Sequence, residues 1–509
     1  MATPRKKAGT KTRPAAPAPS GSTAEGVRRL YLAALGLTAA VAFASLAVQI
    51  DGLIGVHGIL PVQHTLHAEA AARGWTGVQK WLHLPTLMWI LPWSWGPALL
   101  CAVGFFASLA VATGRYAAPA LLVAYLSYLS LCTVGSPFLD FQWDALLCEV
   151  LVASVLVAPW GANPRHPAPA AGWWLLRWIL FRLVFFGGLV KLTSGDATWR
   201  DLSALGFHFW TQPLPNPVSL WAATLPAWVG MIGVALTFVV ELVLVFGVFA
   251  GRIGRRVAFG SIALLMAGLA ATGNYGFFQL LTVVLALSML DDADLARVRL
   301  RVPAPPTAAM TQPKVVAAWA LAALPMAASL AWIPAWYGPR SVHSPAPVLD
   351  ALRREAPFQV VNRYGLFATM TTSRPLPMLE AKWGDGDWVE LTWRWQTSDL
   401  GARPAQAAPH MPRLDWQLWF AGLSTCDDNP WLVRLEDAVL RGDKPVDALI
   451  GDMRLLTGAP PDAVRLTLVD VRPASNADPS RARWTRTVVG AYCPARTRAE
   501  VVDAAAETR

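Results

Sequence analysis

The sequence predicts a polytopic α-helical membrane protein of about 8–9 spans with a C-terminal β-rich, sandwich-like α+β domain outside the membrane. Three observations carry this. Of 509 residues, 54% are hydrophobic and only 15% charged, and the mean hydropathy is +0.39, too apolar for a soluble chain of this length. Apolar stretches near bilayer length recur as far as residue 336. After residue 340 the pattern turns to short alternating segments separated by Gly, Pro and Asp.

In chain order, residues 1–27 form a tail in which Arg5, Lys6, Lys7, Lys11 and Arg13 stand among Ala, Pro, Ser and Thr, the composition of a disordered cytoplasmic segment. The apolar stretch behind it is longer than a signal-peptide core and more spans follow, so it reads as an uncleaved first helix. The membrane domain, 28–337, is expected to hold spans at 29–50, 88–113, 116–134, 145–160, 173–192, 226–250, 257–273, 275–290 and 315–336. Arg115, Arg165, Arg252, Arg255, Arg256, Arg297, Arg299, Arg301 and Lys314 then fall on the same face as the tail, which is cytoplasmic by the positive-inside rule. The tail and these loops hold much of the net charge of +10, so no nucleic-acid partner is expected; the bilayer is the expected partner. An odd number of spans sends 338–509 to the other side. The Ala-, Arg- and Trp-rich usage is that of a bacterial chain, for which that side is the periplasm and the membrane the inner one.

Two loops on the non-cytoplasmic face stand out. Residues 51–84 contain His57, His64, His67 and His83, which read as an amphipathic segment in the headgroup layer; no cysteine or carboxylate cluster completes a ligand set, and no metal is expected. Residues 193–225 contain TQPLPNP, a stretch suited to rim a cavity. In the domain 338–509, residues 388–395 alternate cleanly, which puts Trp393 and Trp395 in the core and makes a hairpin with 377–383 through GDGD at 384–387. Residues 358–370 and 465–472 are further strand candidates, and Asn429-Pro430 opens a helix. Cys426 and Cys493 lie in this domain, where a bridge closing the long loop would add about 2–4 kcal/mol.

The stretch 173–201, WWLLRWILFRLVFFGGLVKLTSGDATWRD, carries Arg177, Arg182 and Lys191 in or beside a span. Counting along the helix puts Arg182 near mid-bilayer and Lys191 at the outer surface. Glu149 and Glu241 are the acids well inside spans, while Asp144 and Asp196 lie at the outer rim. One reading is structural: Arg182 pairs with Glu149 or Glu241, and Lys191 with Asp144 or Asp196, holding helices in register. The other is catalytic: a lysine in a partly dry pocket loses its proton and acts as a base, with Asp144 and Asp196 beside it. His410, Asp415 and Ser424 contain the chemistry of a triad, but no nucleophile elbow surrounds the serine. Arg363 and Tyr364 in NRYGLF, with His410, Arg413 and Trp416 in PHMPRLDWQLWF, place polar groups beside aromatics and are the candidates for a client-contact surface.

Several long fragments stand in one order: QIDGLIGVHGILP (49–61), FQWDALLCE (141–149), FRLVFFGGLVKLTSGDATWRD (181–201), TQPLPNP (211–217), TGNYGFFQLLT (272–282), VNRYGLFATMTT (361–372) and APHMPRLDWQLWF (408–420). Together they resemble the lipase maturation factor family. The resemblance implies a membrane-bound folding factor for secreted lipases, located in eukaryotic members in the endoplasmic reticulum membrane, whose C-terminal domain touches the client. It implies no covalent chemistry and no cofactor. GGLVKLTSGDATW (187–199) is also similar to the lysine-bearing segment of the vitamin K-dependent carboxylase family. That likeness implies an alternative, an integral membrane enzyme acting on a lipid-soluble or quinone-like substrate with Lys191 as base, for which a pocket beside Lys191 is expected.

Overall fold

The computed structural model describes residues 24–163, 166–300, 306, 308–338, 345–451, 456, 458–474 and 483–501. Residues 1–23 of the tail, Arg165, Arg301 and the segment 339–344 at the expected domain boundary lie outside the described residues.

A helix stands at each expected span: α1 (Glu25–Ala47), α2 (Gly96–Ala112), α3 (Ala117–Val134), α4 (Gln142–Ser154), α5 (Ala170–Thr193), α6 (Ala227–Leu242), α7 (Arg252–Thr272), α8 (Phe278–Ala286) and α9 (Gln312–Tyr337). Among the described residues, five are long and apolar enough to cross a bilayer: α1, α3, α6 with its continuation to Phe249, α7 and α9. The 13 residues of α4 rise about 20 Å, short of a hydrocarbon core of about 30 Å, so a helix at each position is not a crossing at each. The five divide by burial. The most apolar stretches of α1 and α3 are 61% buried within the molecule, those of α6, α7 and α9 only 22%, 17% and 17%. The second group therefore turns apolar side chains such as Leu236, Leu264 and Leu324 outward, as a lipid-facing surface requires. Contact between α1 and α2 is close enough that a Cβ on Gly36 would lie 2.5 Å from the backbone of Ser108 and Ala112. In the 51–84 segment, His64 and His67 lie on the helix Val62–Ala72 and His83 ends the helix Val78–His83; all three are exposed.

Among the described residues, the C-terminal part holds a single antiparallel sheet rather than the expected sandwich. Strands β1 (Pro375–Lys382), β2 (Val389–Leu391), β3 (Ala463–Pro473) and β4 (Trp484–Thr497) run in the order β2-β1-β3-β4. Helix α10 (Arg413–Gly422) packs on β1 and α11 (Pro430–Arg441) on β3 and β4, in place of a second sheet. The hairpin at 384–387 is present, with Leu379 opposite Leu391. Its second arm is short because Trp393 N–H donates to Ser398 Oγ and Trp395 N–H to Asp415 Oδ1, so the alternating stretch leaves the ladder after Leu391 and then makes one isolated bridge, Trp393 with Ile450. Residues 358–370, expected as a strand, are turns whose polar groups are used by the helix bundle. Cys426 and Cys493 are joined, with Cα atoms 5.4 Å apart. One continuous apolar core runs through both parts, from Tyr31 of α1 to Val464 of β3.

Candidate functional site

Helix α4 presents two buried carboxylates, Asp144 and Glu149, five residues apart and so about 140° apart around the helix. They meet different partners. Asp144 receives both arms of the Arg413 guanidinium, Nη1 at 2.5 Å from Oδ2 and Nη2 at 2.7 Å from Oδ1, and Tyr128 O–H donates to Oδ1 at 2.6 Å. Arg413 also donates to the Phe138 carbonyl at 3.0 Å, and both members of the pair are 1% exposed. Glu149 pairs with Arg182 of α5 and accepts from Tyr364 O–H at 2.5 Å and from the Asn362 side chain at 3.2 Å. Both clusters are closed by groups from the C-terminal part, which supply the hydrogen-bond partners that buried carboxylates need.

The segments carrying those groups are held by further exchanges of the same kind. Gln49 of the α1 end donates to Met411 O (2.8 Å) and accepts from Arg413 N–H (2.9 Å), while Ser45 Oγ accepts from Met411 N–H (2.8 Å) and bonds His410 Nδ1 (2.9 Å). Asn274 accepts from Ala407 N–H and Ala408 N–H and donates to Ala405 O and Leu214 O. Gly276 turns beside it with φ +56, and a Cβ there would lie 3.0 Å from Met411. Arg374, fully buried, donates to the carbonyls of Gln212 and Pro213 and to Gln396 Oε1. Tyr337 of α9 accepts from Tyr364 N–H and donates to Tyr364 O.

The third charge pair lies beside free space. Lys191 Nζ donates to both Glu241 oxygens, at 3.0 and 2.8 Å, and to Gly187 O at 3.1 Å. Next to it is a cavity of about 90 Å³, apolar except for this pair, His208, Tyr275, Thr237, Thr282 and Gln142. Phe367 from the C-terminal part closes on it, held at φ +53 with its carbonyl accepting from the Trp199 indole N–H at 3.0 Å.

This arrangement chooses between some expectations and corrects others. Arg182 takes Glu149, one of the two partners expected for it. Lys191 takes Glu241 and neither Asp144 nor Asp196, because α5 ends deep. Glu241 lies 14 residues into α6, about 21 Å from its start, so Lys191 is well below the level at which α6 begins. Asp196 instead caps the helix Ala197–Arg200 through Thr198 N–H and accepts from Met370 N–H, both at 2.7 Å. Lys191, Asp144 and Asp196 therefore do not converge as a catalytic set. Of the surface candidates, Tyr364, Arg413 and Trp416 are 1–3% exposed and belong to the contact between the two parts; Trp416 Nε1 donates to Asn274 O. His410 is half-buried on Ser45, and Arg363 alone is exposed, with its guanidinium 5.5 Å over the Tyr337 ring. His410, Asp415 and Ser424 each bond elsewhere and form no relay. Sequence reading missed Arg374, Asn274, Gln212, His208 and Tyr275. Three of the five, Gln212, Asn274 and Tyr275, sit in the quoted fragments, where TQPLPNP and GNYGFF were the available signal.

The fold and its buried charges define an integral membrane protein in which a helix bundle and a C-terminal α+β cap complete one another. Residues 26–297 match the model of the lipase maturation factor transmembrane domain and residues 360–494 that of the lipase maturation factor C-terminal domain. The chain belongs to the lipase maturation factor family. It is 33% identical to lipase maturation factor 2 of Gallus gallus, over 83% of this chain and 74% of that protein, and 32% identical to lipase maturation factor 2 of Homo sapiens, over 83% and 75%. It is 28% identical to lipase maturation factor 1 of Bos taurus over 93% of this chain and 89% of that protein. No solved structure matches it.

Proposed function

We propose that the protein is a membrane-bound maturation factor for exported lipases that acts as a folding aid, without covalent chemistry. One observation supports it most: the charges drawn inward are consumed by structure. Arg413 and Arg182 are spent on Asp144 and Glu149, and the three N–H groups of Lys191 are accepted by Glu241 and Gly187, so Lys191 is not the free base that the enzyme alternative needs. Client contact then falls to exposed groups of the C-terminal part. Arg363 is one; the other is β4, which pairs with β3 alone among the described residues and exposes Val488 and Val489, the surface an extended client segment would add to.

In a strain lacking the gene, the specific activity of an exported lipase falls while the amount of its polypeptide changes less. A photocrosslinker at Val488 captures that lipase and one at Ser329, buried in the bundle, does not. Unchanged specific activity across the exported lipases overturns the reading. The same reading sets residues 338–509 on the periplasmic side of a bacterial inner membrane, with the N-terminus cytoplasmic. After reduction, Cys426 and Cys493 should then react with a thiol reagent applied from outside the membrane, and reaction from the cytoplasm alone would refute that orientation.

A further inference from the structure

The cavity beside Lys191 carries a directional signal that the client reading leaves unused. Its walls come from Thr237 of α6 and Leu265 of α7 on the outward side, Val184 of α5 and Thr282 of α8 on the inward side, and Phe367 and Met370 of the C-terminal part. His208, 4% exposed, lines it from the helix Ala204–Thr211. A chain of hydrogen bonds sets the imidazole tautomer. Gln212 Nε2 donates to the carbonyls of Thr272 (2.7 Å) and Phe209 (3.2 Å), so its Oε1 is the atom that accepts from Tyr275 O–H at 2.8 Å. With its only proton given to Gln212, the Tyr275 oxygen accepts from His208 Nε2–H, also at 2.8 Å. His208 Nδ1 is thereby a bare acceptor, and it is buried with no hydrogen-bond partner. Burial, with the Lys191 charge second, holds the imidazole pKa down at about 4, which keeps that lone pair free at neutral pH.

What fits is narrow in kind. A free volume of about 90 Å³ equals the room of about six to nine waters on the same measure, enough for a head group and its first carbons but not for fused rings. The outer wall is a single layer, α6 and α7, whose far sides are apolar and exposed. A carboxylate is disfavoured: the Lys191 N–H groups are occupied, the Glu241 carboxylate is adjacent, and Nδ1 offers a lone pair and not a proton. We propose that this cavity binds a slender lipid alcohol, whose hydroxyl donates to His208 Nδ1 and whose chain leaves along the apolar faces of α6 and α7. The site is independent of the client reading, since its ligand is a small lipid and its test contains no lipase.

The test uses the full chain in lipid nanodiscs with two photoreactive probes, hexadecanol and hexadecanoic acid each bearing a diazirine, and maps the labelled residues. The alcohol should label the cavity walls about tenfold more than the acid, the worth of one hydrogen bond made rather than refused. Thr237→Trp, which fills the cavity, should cut alcohol labelling about tenfold, and Leu236→Trp on the exposed face of α6 should leave it unchanged. His208→Phe should bring the alcohol-to-acid ratio towards one, and it decides the matter if Thr237→Trp lowers the melting temperature. Competition by a monoacylglycerol identifies a glyceride as the natural source, and competition by a polyprenol an isoprenoid. Equal labelling by alcohol and acid, competition by neither lipid, or labelling that survives cavity filling in a folded variant would mean that water alone occupies the site, and would overturn the proposal.

Discussion

The Arg413–Asp144 and Lys191–Glu241 pairs are made of the same chemistry and do opposite things. The first is 1% exposed on both sides, bidentate, and surrounded by Tyr128 and the Phe138 carbonyl, so it fastens the C-terminal part to α4. The second is 8% and 12% exposed, stays within the bundle and borders a cavity. Burial of a charge pair is thus not one condition. Where every neighbouring volume is filled, the pair is a clamp whose two halves depend on each other; where one side is empty, it is a wall that water or a ligand can reach.

The largest effect should come from breaking the clamp. Arg413→Ala leaves Asp144 without a counter-charge and should cost about 3–5 kcal/mol, with protease releasing the C-terminal part at temperatures the parent withstands. Asp144→Asn in the same chain should restore part of the loss, and a melting temperature within 2 °C of the parent for Arg413→Ala alone would remove the clamp from consideration. Next, Cys426→Ser opens a bridge across 67 residues and should cost about 2–4 kcal/mol, confined to the C-terminal part, as differential melting of its tryptophans would report.

A third kind of buried charge sharpens the contrast. Glu436 of α11 is fully buried with neither oxygen hydrogen-bonded among the described residues, since Arg496 donates to Asp437 instead. Burial pushes its pKa up to about 8, with Arg496 opposing. The folded form therefore holds a proton that the unfolded chain has already released at neutral pH, so its contribution to stability is complete below about pH 4.3 and is lost as pH rises towards 8. Glu436→Gln should match the parent at pH 4 and exceed it by an amount that grows as the pH rises to 8, and a pH-independent difference would contradict the assignment. The smallest loss is expected at the wall: Lys191→Met should cost about 1–2 kcal/mol, because Glu241 can be hydrated or protonated from the cavity. A loss as large as that of Arg413→Ala would mean that both pairs act as clamps.

Much of the bundle is legible from apolar length alone, and the hairpin at 384–387 from its glycines, because both depend on neighbours in sequence. The pairs do not. The ionisable side chains of 173–201 announce that partners exist, yet Lys191 meets Glu241 at a depth set by where α5 stops relative to α6, which no count of residues along one helix contains. NRYGLF and PHMPRLDWQLWF read as surface because aromatics beside Arg and Asn suit an interface. They do form one, but within the chain, with Tyr364 on Glu149 and Arg413 on Asp144. His208 and Tyr275 were invisible as a site because their meaning lies in a tautomer fixed by Gln212, a third residue that turns outward in no sequence pattern.

Arg413 follows Asp144 by 269 residues. At synthesis rates of roughly 5–20 residues per second, the carboxylate on α4 waits on the order of tens of seconds for its cation to leave the ribosome. Throughout that interval the nascent bundle carries an unanswered acid, a mark that separates an unfinished chain from a finished one. Any product truncated before α10 keeps the mark permanently.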